Sequence, residues 1–276
     1  MRLTIRLRAL VWVAALLLLG GCAVIPEPPA RGGATLSDLE LTWAAGRMVW
    51  PAADGKAGPV RRIGEVSDAV PAAGEGRRWP VVVYLHGCTG LGVADFTFMR
   101  RLARAGMVVI APDSMARRYR PWQCDPKTRT GGYNLFVYDF RQAEINYALQ
   151  RLAALDWVDR DNLFLVGASE GGVAAALYRG SAFRARVIAQ WTCHGSALVR
   201  GLAGPPGVPV LSIVRHDDPW YDQKHTRDQQ GDCGVFFGQR PGSKSLVLAR
   251  GTGHDVLGNK AAIKAIVAFL QANRTQ

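Results

Sequence analysis

Apolar positions follow two regimes along the chain. Residues 9–19 form an unbroken apolar run of eleven, too short for an ordinary membrane span and the length of a secretory signal core. From about residue 80 onward, short apolar runs alternate with stretches whose apolar residues recur every three or four positions. The runs at 81–85, 107–111, 163–166, 187–189, 210–214 and 246–248 predict buried strands. Between them the spacing predicts a helix over 96–105, stopped by Gly106, and a long amphipathic helix carrying Ile145, Ala148, Leu149 and Leu152. It also predicts a small-residue helix over 171–178 and a closing helix carrying Ile263, Ile266, Val267 and Leu270. Strand–helix alternation implies a mostly parallel α/β sheet covered on both faces. Reactive groups in such sheets gather at the carboxyl ends of the strands. Residues 40–50 are expected to add one or two antiparallel edge strands.

The amino terminus adds a leader to this domain. Arg2, Arg6 and Arg8 precede the apolar run, and Leu19-Gly20-Gly21-Cys22 follows it. Small residues before a cysteine resemble the lipobox of bacterial lipoproteins. The resemblance implies cleavage after residue 21, acylation of Cys22 and a membrane anchor. Position 23 is Ala, not the aspartate that retains such proteins at the inner membrane, which points to the outer membrane, facing the periplasm. An ordinary cleaved signal with a chance cysteine is the alternative. Residues 22–35 are rich in Pro, Gly and Ala and read as a tether; residues 36–276 read as one catalytic domain.

Formal net charge is +12, and losing the leader leaves the balance basic. That favours anionic surfaces, although solubility explains it equally well. No nucleic-acid motif or aromatic-basic stripe is present, which argues against a nucleic-acid partner. Besides Cys22 there are Cys88, Cys124, Cys193 and Cys233. An exported compartment permits disulfides among them. None has the close spacing of a zinc site, so no metal is expected.

The strongest chemical signal is Gly167-Ala168-Ser169-Glu170-Gly171-Gly172, after a predicted strand and before a predicted helix. A nucleophile on a tight strand–helix turn needs that context, with glycines relieving the crowding around it. A serine also needs a base. His86 lies in a glycine loop, His194 and His216 follow strands, and His225 lies in a polar loop. His254 follows the last strand and precedes the closing helix, where serial order of nucleophile, acid and histidine puts the base. The acid should follow the 210–214 strand, at Asp217 or Asp218. The backbone N–H of Glu170 and that of Cys88, in His86-Gly87-Cys88-Thr89-Gly90, are candidates for an oxyanion hole.

These residues resemble the α/β-hydrolase superfamily, and within it the dienelactone hydrolase-like group, over roughly residues 60–272. Pro112-Asp113-Ser114 also looks like that group. The founding members use a cysteine nucleophile where this chain has Ser169, which puts the dienelactone substrate in doubt and leaves acyl transfer to water intact. The resemblance favours Asp218 as the acid, because members place it third after a strand-ending glycine and Arg215 occupies that position here. It implies a small-molecule ester substrate and no cofactor. The implied fold favours Cys88–Cys124 and Cys193–Cys233 as disulfides, since each pair would join neighbouring loops. The long 117–132 segment is expected to overhang the site. Trp122, Trp191 and Trp220 could line an aromatic pocket, and Arg118 and Arg120 could make it prefer anionic substrates. A peptidase or amidase with the same triad is the rival enzyme. A catalytically silent envelope-binding lipoprotein is the rival outside enzymes, but its expected mark, a missing triad member, is not found.

Overall fold

The computed structural model describes residues 36–52, 54–66, 77–221, 229–249 and 253–275. The leader, Cys22, the tether and His225 lie outside the described residues. Within Leu36–Gln276, the unit holding the domain, the described residues form a sheet of eight strands in the order β10-β9-β8-β7-β3-β4-β1-β2. The strands are β1 (Arg47–Val49), β2 (Arg61–Arg62), β3 (Trp79–Leu85), β4 (Val108–Ala111), β7 (Val158–Ala168), β8 (Ala185–Ala189), β9 (Val210–Arg215) and β10 (Lys244–Leu248). From β4 to β10 neighbours pair in parallel; β1 and β2 form an antiparallel edge. A short separate hairpin joins β5 (Cys124–Asp125) to β6 (Thr130–Gly131).

The alternation of strand side chains divides the core in two. From β3, Val81, Val83 and Leu85 join one apolar layer, with α1 (Asp38–Ala45), α4 (Val137–Ala153) and α5 (Glu170–Leu177). Val82 and Tyr84 join the other, with α3 (Val93–Arg104) and α6 (Lys260–Ala272). Strand β3 is buried along its whole length, which is why it reads as an uninterrupted apolar run. A short helix, α2 (Ile63–Val66), follows the edge strand β2.

Residues 40–50 differ from expectation. Their first half is helix α1; the edge strand β1 starts only at Arg47. Ser37 and Glu40 explain the change. The Glu40 carboxylate accepts the Ser37 N–H at 2.6 Å, and the Ser37 hydroxyl accepts the Glu40 N–H at 3.3 Å. That reciprocal cap satisfies two amides that a helix start leaves open.

Candidate active site

Ser169 stands where β7 turns into α5. Its φ is +55°, a left-handed conformation strained for a side chain of this kind. The surrounding glycines are required by contact. A Cβ on Gly167 would lie 2.0 Å from the Gly171 carbonyl oxygen, and one on Gly171 would lie 2.1 Å from that of Leu85. The Ser169 N–H donates to Ala189 O across the sheet at 2.9 Å, and Val173 N–H donates to Ser169 O at 3.0 Å. The turn is therefore fixed from both sides, and the hydroxyl is held at the carboxyl edge of the sheet.

The imidazole of His254 meets that hydroxyl. Nε2 of His254 is 2.9 Å from Ser169 Oγ, and Nδ1 is 2.6 Å from Asp218 Oδ2. The second oxygen of Asp218 accepts the Trp220 N–H at 3.0 Å. Asp218 is buried, whereas Asp217 is half-buried. The Trp220 ring tilts against the imidazole at 5.3 Å between centroids, and the Tyr221 ring stands edge-on at 6.0 Å. Tyr221 donates its hydroxyl to Gln190 O at 2.9 Å. Burial, and then the charge of Asp218, push its phenol well above the usual range.

A cavity of about 360 Å3 opens beside Ser169. Cys88 and Glu170, the two candidate oxyanion donors, line it with the serine. Glu170 opens α5, so its N–H has no acceptor within the helix. Gly87 lies against the nucleophile: a Cβ there would stand 3.5 Å from that of Ser169, in ordinary van der Waals contact. The sequence-predicted disulfides Cys88–Cys124 and Cys193–Cys233 both form. The first ties the Cys88 loop to the β5–β6 hairpin, whose Thr130 and Gly131 make one cavity wall.

Three expectations about the pocket divide. Trp191 and Trp220 line it. Trp122 does not: the buried neighbours Gln123 and Cys124 turn inward, and the indole of Trp122 is left in solvent. The two arginines expected to attract anionic substrates are committed elsewhere. Arg118 pairs with Asp38 at 2.9 Å, and Arg120 is buried in an ion pair with Glu170. Neither lines the cavity.

Behind the site lies a buried polar network that the sequence reading missed. Glu144 Oε1 accepts the Ser114 hydroxyl at 2.9 Å and Arg117 Nε at 2.8 Å, while Oε2 lies 3.3 Å from Arg141. Arg141 donates to His86 O at 3.0 Å. His86 is fully buried; its Nε2 accepts the Ser114 N–H at 3.0 Å and its Nδ1 faces Gly87 O at 2.6 Å. Burial, then the Arg141 charge, hold its pKa well below 6.5. A neutral ring with the proton on Nδ1 satisfies both contacts. His86 thus stiffens the Cys88 loop. The available signal was Arg141 and Glu144, a charged i,i+3 pair within a helix read for its apolar face. Among the described residues no cluster of His, Cys, Asp or Glu is arranged to hold a metal ion.

A family model of the dienelactone hydrolases matches residues 68–230. The chain belongs to the dienelactone hydrolase family. The match includes Ser169 and Asp218 and ends before His254. Membership makes the protein an ester-cleaving serine hydrolase of the α/β-hydrolase fold. Among solved structures it resembles one named m3DLH, with a TM-score of 0.52 and 20% identity over 74% of this chain and 90% of that one. It also resembles a dienelactone hydrolase-like promiscuous phosphotriesterase from metagenomic libraries, with a TM-score of 0.50 and 18% identity over 82% and 97%. A protein of unknown function from Agrobacterium tumefaciens gives 0.50 and 16% identity over 74% and 95%. At these identities the structural likeness speaks to the fold. No curated protein matches the chain.

Proposed function

We propose that this dienelactone hydrolase family member cleaves a carboxylic ester through an acyl-enzyme on Ser169, with His254 as base and Asp218 as its orienting acid. The supporting observation is the run of two contacts, 2.6 Å and 2.9 Å, from Asp218 through His254 to the serine hydroxyl beside an open cavity. His254 takes the hydroxyl proton as Oγ attacks the carbonyl carbon. The N–H groups of Cys88 and Glu170 hold the oxyanion. When the tetrahedral species collapses, the C–O bond breaks and the alcohol leaves with the proton from His254. Water then enters, gives a proton to His254 and attacks the acyl carbon. The acid departs and the proton returns to Ser169. Asp218 stabilises the imidazolium formed in each half.

Trp191 and Trp220, with Leu135, Val173 and Val199, offer a largely apolar wall for the acyl or alcohol group. Its size suits a small ester. We further propose export to the cell envelope with an anchor at Cys22, a setting in which two disulfides persist. Turnover of p-nitrophenyl esters by the wild-type protein and by Ser169→Ala tests the reaction. Substitution should remove roughly 10^4-fold or more of the rate. A Ser169→Ala protein of undiminished turnover overturns the assignment, and mass spectrometry of the mature amino terminus tests the anchor.

A further inference from the structure

Four aromatic side chains in the 119–136 region are exposed. Trp122 is 81% exposed, Tyr119 69%, Tyr133 53% and Phe136 44%. The segments that carry Trp122 and Tyr133 lie side by side. Asn134 ties its own segment to residues 122–123: its N–H donates to the Gln123 side chain at 2.8 Å, and its side-chain amide donates to Trp122 O at 2.6 Å. Phe136 packs edge-on against Phe140, and the Arg117 guanidinium lies over the Phe140 ring. Tyr133 also belongs to the cavity wall, so the aromatic surface borders the mouth of the site. Lys127 and Arg129 stand exposed on the intervening hairpin. Exposed Trp and Tyr beside cations are the composition that settles at the boundary between lipid headgroups and acyl chains.

The position of α1 selects the occupant. Asp38, at the start of α1, pairs with Arg118, next to Tyr119. The start of α1, to which the tether is covalently joined, therefore lies beside the Tyr119 end of this surface. Fourteen residues reach at most roughly 50 Å when extended. An acyl group on Cys22 would keep the surface within reach of the bilayer throughout.

We propose that the Tyr119–Trp122–Tyr133–Phe136 surface seats on an anionic lipid bilayer, with the mouth of the active site at its edge. The anchor strengthens the proposal by proximity; the surface itself is argued from exposure and charge. The test is the fluorescence of the mature full-length protein in phosphatidylethanolamine–phosphatidylglycerol vesicles carrying brominated lipids. The tryptophan emission should dim and shift to the blue relative to vesicle-free protein, and Trp122→Phe should abolish the part of the change due to that one ring. Quenching identical in wild-type and Trp122→Phe proteins, or no association with the vesicles, overturns the proposal. Mass spectrometry of the same sample separates the anchor: an unacylated protein that still shows Trp122-dependent quenching keeps the surface and removes the anchor. Turnover of a soluble ester reads the catalytic reading separately, because it needs no bilayer.

Discussion

Asp218 holds His254 with one carboxylate oxygen, 2.6 Å from Nδ1, while its other oxygen accepts the Trp220 N–H. The carboxylate is thereby fixed on both sides, and the imidazole keeps the proton on Nδ1 with Nε2 free to accept from Ser169. Asp217, one residue away, is half-buried. Asp218→Asn should lower kcat roughly 10^4-fold by favouring the wrong tautomer. Asp217→Asn should leave kcat nearly unchanged. Steady-state kinetics on one soluble ester checks both, and the reverse ranking would reassign the acid.

Glu144 is the hub of the network behind the oxyanion loop. Its carboxylate is buried between Arg117 and Arg141. Removing one partner of a buried ion pair leaves an uncompensated charge and costs about 3–5 kcal/mol. Glu144→Gln should lower the unfolding free energy by that order in urea titrations. A change well under 1 kcal/mol would mean that the guanidiniums find other partners.

His86 makes stability depend on pH. Its folded-state pKa lies well below the ordinary 6.5, first through burial and then through Arg141. The unfolded chain therefore takes up a proton that the native chain refuses as pH falls below about 6.5. Stability from this group is full above that pH and is lost on acidification, with a slope approaching 1.4 kcal/mol per pH unit. His86→Gln should flatten the slope of unfolding free energy between pH 6.5 and 5. An unchanged slope would place the proton uptake elsewhere.

The disulfide Cys88–Cys124 closes a segment of sequence separation 36, and Cys193–Cys233 one of 40. Each should stabilise the fold by about 3–4 kcal/mol through the unfolded chain. The first also braces a cavity wall. The double variant Cys88→Ser/Cys124→Ser should raise KM more than it lowers kcat, whereas losing the Cys193–Cys233 bridge should act mainly on stability. Denaturant titrations and ester kinetics on the two double variants would show equal KM values if the first bridge were only a staple.

The parallel sheet was legible because each buried strand leaves a short apolar run, and the run at 81–85 is apolar on both faces. The turn at Ser169 was legible from glycine spacing, since it tolerates no Cβ at Gly167 or Gly171, and serial order pointed to His254 and to Asp217 or Asp218 without separating the two aspartates. Helix α1 was missed because its identity rests on the cap between Ser37 and Glu40, while Leu39, Leu41 and Trp43 alternate like a strand. Arg120 and Trp122 were misplaced for a related reason. Which way a loop side chain points depends on partners distant in sequence, here Glu170 for the arginine and the Cys88–Cys124 bridge that turns Gln123 and Cys124 inward.

The reactivity of a single hydroxyl tests the account most directly. Wild-type protein treated with a fluorophosphonate should gain one adduct, and peptide mapping should find it on Ser169. His254→Asn should slow that labelling by orders of magnitude. An adduct on another residue, or a Ser169 hydroxyl inert while the protein still hydrolyses esters, would contradict it.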